Sequence, residues 1–217
     1  MSVPIERIDP ADPDRALNKA ATALSEGKLV IFPTDTLYGI GARIDREEAI
    51  RKIFRIKMRE PGKPILILIA NPGDLDRYAK KISRQAGEMI DAYWPGPLTL
   101  IFEASGRVST LLTGNRGTIG IRCPGDPRAR KLLKLTGEAV TATSANLTGH
   151  PPVRSAEEAA IQFEEGIDLI LDGGRLGAEP STVVDVSGKR GARIVRQGSL
   201  LLSPRFDEGY SPLRDRT

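Results

Sequence analysis

Pro64-Ile65-Leu66-Ile67-Leu68-Ile69-Ala70 decides the fold. Ile65 to Ile69 are all large aliphatics, so no polar face is left for water. Such a run is expected as a strand covered on both faces of a sheet. It belongs to the longest apolar stretch of the chain, Ile65 to Ala70, which is far too short to span a bilayer. Working outward, further β-rich runs are Leu29 to Phe32, Leu98 to Phe102, Thr118 to Arg122, Ala139 to Thr143, Asp168 to Leu171, Thr182 to Val186 and Arg193 to Arg196. Helical patterns between them cover Asp14 to Glu26, Asp45 to Arg59, Ser83 to Tyr93, Pro127 to Thr136 and Ala156 to Glu165. The alternation is α/β. It is irregular, because Leu98 to Phe102 and Thr118 to Arg122 are joined without a clear helix. An open, twisted mixed sheet with flanking helices is therefore expected, in one domain over residues 1–198. A partly ordered tail over 199–217 follows, with Leu200 to Leu202 docked on the body.

The helix before the aliphatic run carries an anomaly. In DREEAIRKIFRIKMR, Asp45 to Arg59, Asp45 and Glu48 form a capping-box pattern, and Pro61-Gly62 stops the helix. Ile50, Ile53 and Phe54 make its apolar face, and Lys57 falls on that face, seven residues after Ile50. Arg51, Arg55 and Arg59 follow one another on the other side. A lysine aimed at an interior costs several kcal/mol unless neutralised. Two readings stay open: a phosphate neutralises Lys57, or the last turn frays and the side chain snorkels to water.

Composition narrows the classes. The 217 residues are 40% hydrophobic and 28% charged, as in a soluble globular protein. A single cysteine, Cys123, excludes an internal disulfide and any multi-cysteine metal site. No disulfide framework and no signal-peptide core in MSVPIERIDPADPDR lead to an expectation of a cytoplasmic protein without a membrane segment. The net charge of +4 is local: Arg43 to Lys63 holds eight basic residues against four acidic ones, and the rest is balanced at 24 of each. A local cationic cluster suits a specific anion better than a nucleic-acid coat, though contact with RNA stays open.

Four loops next to strands are placed to bind a ligand. PTDTLYGIGA, Pro33 to Ala42, offers Thr34, Asp35, Thr36 and Tyr38 beside Gly39 and Gly41; alone it also reads as an ordinary strand-to-helix turn. KMREPGKP, Lys57 to Pro64, brings Lys57, Arg59 and Lys63 together, where a polyphosphate would relieve their repulsion and splayed, solvated side chains are the alternative. TATSANLTGHPP, Thr141 to Pro152, presents Ser144 and Asn146 near Gly149. PSTVVDV, Pro180 to Val186, places Ser181 and Thr182 at a strand start, and Arg196-Gln197-Gly198 adds a cation nearby. There is no GxxxxGK[ST] phosphate loop and no dinucleotide fingerprint. The sole histidine, His150, disfavours a catalytic triad or a histidine zinc site, and no metal ligand is assigned.

Taken in order, PTDTLYG (Pro33 to Gly39), Lys57-Met58-Arg59, WPGPLT (Trp94 to Thr99), GIRCP (Gly120 to Pro124), TSANLTG (Thr143 to Gly149), PSTVVD (Pro180 to Asp185) and RQG (Arg196 to Gly198) resemble the YrdC-like family of L-threonylcarbamoyladenylate synthases. The resemblance implies a basic central crevice. There L-threonine, bicarbonate and ATP would give threonylcarbamoyl-AMP and pyrophosphate, for a separate tRNA threonylcarbamoyl transferase acting on the adenosine next to the anticodon. Carried over residue by residue, it implies Thr36, Arg122, Ala142 and Ser181 on threonine. Arg59, Lys63, Thr118, Ser144, Asn146, Pro152 and Arg196 would take ATP, with Lys57 and Arg59 as the catalytic cations and Lys57 facing the phosphates. Mg²⁺ would travel with the nucleotide. Longer members have an Asn-Pro turn and a histidine where this chain reads Lys63-Pro64 and Leu68, and they carry a second C-terminal domain. Three competing readings are a basic-cleft RNA-binding module without catalysis, a carbamoyl-phosphate-using hydrogenase-ligand enzyme, and a sugar-phosphate synthase of riboflavin synthesis. Few aromatics (5%), absent cysteine-rich zinc motifs and no acidic metal-binding loop count against them in turn.

Overall fold

The computed structural model describes residues 3–60, 62–177, 179–188 and 191–206. It places the aliphatic run where two mixed sheets meet. Only Ile67–Leu68 form a ladder strand, β4 in chain order. The run is nonetheless pinned along its length: Ile65 N–H donates to Leu112 O, Ala142 N–H to Leu66 O, and Ile69 N–H to Arg122 O. Ile65, Ile67, Leu68 and Ile69 are buried, as a strand covered on both faces requires.

The first sheet holds β1 (Ile5–Arg7), β2 (Val30–Phe32), β3 (Gly39–Gly41), β8 (Thr143–Ser144) and β9 (Leu169–Asp172), in the order β1-β9-β2-β3-β8. The second holds β4, β5 (Leu98–Glu103), β6 (Thr118–Arg122), β7 (Val140–Thr141), β10 (Thr182–Asp185) and β11 (Arg193–Arg196), in the order β11-β10-β5-β6-β4-β7. The mixed α/β architecture is as expected, but hydrogen bonding divides it into two sheets. The expected strand Ala139 to Thr143 is the point of division. Val140–Thr141 pair with β4, and after Ala142 the chain crosses to pair Thr143 and Ser144 with β3. Periodicity cannot reveal this, because both halves are equally β-prone. β1 and β3 were not expected as strands. β3 lies inside the presumed loop Pro33 to Ala42, where Gly41 is required: a Cβ would sit 2.6 Å from the Phe32 ring.

Helices α1 (Pro13–Ser25) and α5 (Pro127–Thr136) pack together on the first sheet through Leu17, Leu24, Leu132 and Leu133. α5 has the start its sequence announces, with Pro127 in the first turn and the Asp126 carboxylate accepting from Arg128 and Ala129 N–H. α3 (Arg84–Tyr93) and α6 (Ala156–Gln162) are capped by Ser83 and Ser155. α4 (Thr110–Thr113) is one turn between β5 and β6.

α2 spans Glu47–Ile56, shorter than expected. The capping box does not form: Asp45 is drawn to the Arg43 guanidinium at 2.7 and 2.9 Å, and Arg46 precedes the helix without a side-chain cap. Ile50 and Ile53 are buried, with Phe54 packed against the same core. Arg51 and Arg55 are exposed, but Arg59 lies beyond the helix and turns away from their row. In the tail, Leu200 and Leu202 pack on the core while Leu201 is exposed; residues 207–217 lie outside the described residues.

Candidate active site

A cleft of about 620 Å³ opens between the two sheets. Its floor is one face of β5, β6, β10 and β11, contributing Thr99, Ile101, Thr118, Gly120, Arg122, Val183, Asp185, Arg193 and Val195. Ladder partners set this face: Asp185 is opposite both Ile101 and Arg193, and Ile101 is opposite Gly120. The other wall comes from Thr34, Thr36 to Gly39, Pro64 to Leu66, Leu68, Ala142 to Ser144 and Pro152. Five arginines (Arg59, Arg116, Arg122, Arg193, Arg196) and a single carboxylate, Asp185, line it. The lining is therefore cationic, and it suits an anion.

The deep end is built on Arg122, at the end of β6 and 4% exposed. Its Nε donates to Gly96 O at 3.1 Å, Nη1 to Thr36 Oγ1 at 2.8 Å, and Nη2 to the Asp35 carboxylate. A guanidinium has five N–H donors, so two remain for a ligand. Burial pulls the Arg122 pKa down while Asp35 opposes the shift; the group stays charged. Thr36 Oγ1 also meets Thr34 Oγ1 at 3.1 Å. Across the cleft, Ser181 Oγ lies 2.8 Å from Thr99 Oγ1 and accepts from Arg196 Nη2 at 3.3 Å. Arg196 itself is held by Ser181 O, at 2.9 Å from Nη2. Arg59 reaches in from beyond α2, fixed by Pro64 O at 2.9 Å, and burial lowers its pKa.

Of the residues selected from sequence, Thr36, Arg59, Thr118, Arg122, Ala142, Ser144, Pro152, Ser181 and Arg196 line this one cleft. Lys57, Lys63 and Asn146 do not. Lys63 pairs on the surface with Glu60 at 3.0 Å. Asn146 turns its amide N–H groups to Leu147 O and His150 O, leaving a buried Oδ1 without a partner among the described residues.

Lys57 departs furthest from expectation. It neither frays to water nor lines the cleft. It caps the C-terminus of α2, is 2% exposed, and donates to Ser144 O and Asn146 O beneath the loop that follows β8. The loop answers through Thr148, whose N–H and hydroxyl both bond Lys57 O, at 3.2 and 2.8 Å. No carboxylate pairs with the ammonium among the described residues. Burial, with the charge of Arg59, lowers its pKa to about 7. A neutral amine keeps two N–H donors, enough for both carbonyls.

Gly96, Arg116 and Arg193 received no role from sequence, and Asp35 was offered only as part of its loop. Asp35 and Arg122 are 87 positions apart, so no local pattern links them. Among the described residues, no group of three His, Cys, Asp or Glu side chains is placed to hold a metal, and no helix is long and apolar enough to cross a membrane.

Comparisons with known proteins agree on one family. The Sua5/YciO/YrdC model, described as "Telomere recombination", matches residues 22–198. A threonylcarbamoyl-AMP synthase of Pyrococcus abyssi is 41% identical over 170 residues, covering 77% of this chain and 50% of that protein. One of Idiomarina loihiensis is 35% identical over 169 residues, covering 76% of this chain and 90% of that protein. The crystal structure of P. abyssi Sua5 complexed with L-threonine superposes with a TM-score of 0.86 at 35% identity, over 92% of this chain and 58% of that one. This chain thus spans about half the length of the P. abyssi relative.

Proposed function

The chain belongs to the Sua5/YciO/YrdC family, and from that premise we propose that it is an L-threonylcarbamoyladenylate synthase, a nucleotidyltransferase. It would make threonylcarbamoyl-AMP and pyrophosphate from L-threonine, bicarbonate and ATP. The product would pass to a separate tRNA threonylcarbamoyl transferase, all in the cytoplasm. The observation that carries the proposal is the continuity of the cleft: the hydroxyl-and-arginine cluster of Thr36, Arg122 and Ser181 lines the same cavity as Arg59, Ser144, Pro152 and Arg196.

Threonine fits the deep end. Its carboxylate would take the two spare donors of Arg122, a charge-assisted fork, while Thr36 and Ser181 face its hydroxyl and amine and Ala142 closes the wall. ATP would lie over Thr118, Ser144 and Pro152, with Arg59 and Arg196 on its phosphates and Mg²⁺ carried by the phosphates themselves; Lys63, paired with Glu60 outside the cleft, takes no part. The amine condenses with bicarbonate to a carbamate, losing water. A carbamate oxygen then attacks the α-phosphorus as the bond to pyrophosphate breaks. No protein nucleophile is required. The chain contributes positioning and cationic stabilisation of the phosphorus centre and the leaving group. Lys57 would act through the loop it holds, fixing Ser144 and Asn146 and adding its charge from below. The apolar Leu68 on the wall adds no hydrogen bond to threonine.

The test is pyrophosphate release from ATP with each substrate omitted in turn. The proposal expects release only when L-threonine and bicarbonate are both present, with a threonylcarbamoyl adenylate found by mass spectrometry. Release independent of threonine, or salt-sensitive RNA binding with no turnover, would replace it with another reading.

A further inference from the structure

Strand alternation turns Ser181 into the cleft and Thr182 onto the opposite face of the sheet. There the Thr182 side chain is fully buried, and its hydroxyl is saturated. It donates to Leu200 O at 2.7 Å and accepts from Gly198 N–H at 3.0 Å and Gln197 Nε2 at 3.4 Å. One donor and two acceptor positions are all that a hydroxyl has. Ser199 N–H adds a bond to Pro180 O at 3.0 Å. The approach leaves no room for a side chain at position 198: a Cβ on Gly198 would lie 2.2 Å from Pro180 O and 2.4 Å from Ser181 C.

The same segment has a second anchor. Ser203 N–H donates to Tyr93 Oη at 2.8 Å, and the Phe206 ring meets Tyr93 edge-on, 5.9 Å between centroids. Tyr93 ends α3 and leads into the turn Trp94 to Pro97. In that turn Gly96 O holds Arg122 Nε and Pro97 O accepts from Thr182 N–H. Residues 197–206 therefore run from the Ser181 wall to the turn that holds Arg122. None of them lines the cleft.

We propose that this segment is a strap, knotted at the Thr182 hydroxyl, that sets Ser181 and Arg122 relative to each other. Thr182 is a positioning residue chiefly for the amino-acid half of the cleft; the nucleotide half feels it only through Arg196, which is bonded to Ser181 O. This rests on the reading of that half as the threonine subsite.

Three variants test it: Thr182→Val removes the hydroxyl and keeps the shape, Thr182→Ser keeps the hydroxyl, and Phe206→Ala weakens the far anchor. Each is compared with the wild-type chain by threonine and ATP KM in pyrophosphate release, and by amide exchange at Thr182, Gly198 and Ser199. A small misplacement of a binding group is expensive, so Thr182→Val is expected to raise the threonine KM by about tenfold while the ATP KM stays within about twofold. Thr182→Ser should restore the wild-type value, and Phe206→Ala should move in the direction of Thr182→Val. Equal changes in both KM values, or none, overturn the strap. If the wild-type chain releases no threonine-dependent pyrophosphate, the reading of the site fails instead. Exchange then decides the strap alone: faster exchange at all three amides in Thr182→Val supports it, and unchanged exchange overturns it.

Discussion

Two buried charges in this molecule are treated in opposite ways. Glu138, two residues beyond α5 and outside the lining of the cleft, is 8% exposed at its side chain. It accepts from Arg77 at 3.0 Å, Arg107 at 3.1 Å, its neighbour Ala139 N–H at 3.0 Å, and Tyr78 Oη. Burial alone would raise its pKa, but these partners outweigh burial and hold it below the usual carboxylate value. Lys57 is buried more completely and meets only carbonyl oxygens. Burial wins there, and its pKa falls to about 7. A charge that only supports the fold is neutralised by its own chain. A charge beside an anion site can be left short of countercharge, to be completed by the ligand. That incompleteness, not the charge itself, distinguishes Lys57 from Glu138.

The comparison is broken most forcefully at Arg122, the cleft cation that does have a carboxylate partner. Arg122→Gln removes the charged partner of the Asp35 side chain, which is 19% exposed, and is expected to destabilise the fold by about 1–3 kcal/mol. Threonine-dependent turnover is expected to fall at least about a hundredfold, since the carboxylate fork and the Thr36 contact go together. Steady-state kinetics and a denaturant melt read both.

Lys57→Met sharpens the contrast through pH. The folded pKa of about 7 lies below the ordinary 10.5, so between those values the unfolded chain holds the extra proton. Wild-type stability attributable to Lys57 therefore rises from pH 7 towards 10.5 and is least below pH 7. The variant loses that slope. Relative to wild type it is expected to be unaffected or stabilised at pH 6 and destabilised at pH 10, a swing on the order of a few kcal/mol. Urea melts across the range check this. Glu138→Gln should show the reverse pattern: a loss of about 1.5–3 kcal/mol at neutral pH with kcat unchanged. Because its folded pKa is lowered from 4.5, that loss should shrink as pH falls below 4.5. Lys63→Ala should do least, since an exposed pair with Glu60 contributes less than about 1 kcal/mol; ATP KM and a melt suffice.

Much of this was legible before the structure, for identifiable reasons. α5 matches its reading at both ends because Asp126-Pro127 and Gly137 are local signals. β6 and β11 match because their runs are bounded cleanly. The burial of Lys57 followed from its spacing after Ile50. What could not be read was anything carried by distant pairing. The split at Ala142 depends on which strand lies alongside. The rescue of Asp45 by Arg43 competes with a helix cap that looks equally good locally. Among the described residues, the Asp35 carboxylate is held by Arg122, 87 positions away. Family resemblance brought nine site residues to one cleft, yet it placed the Lys57 amine on the phosphates. Only the fold puts it under the loop.

The most direct measurement is the titration of the Lys57 side chain by NMR, in the free protein and with ATP bound. The account predicts a midpoint near pH 7 in the free protein, rising when ATP supplies the missing negative charge. An ordinary lysine midpoint near 10.5 in the free protein, or one that ATP leaves in place, would contradict it.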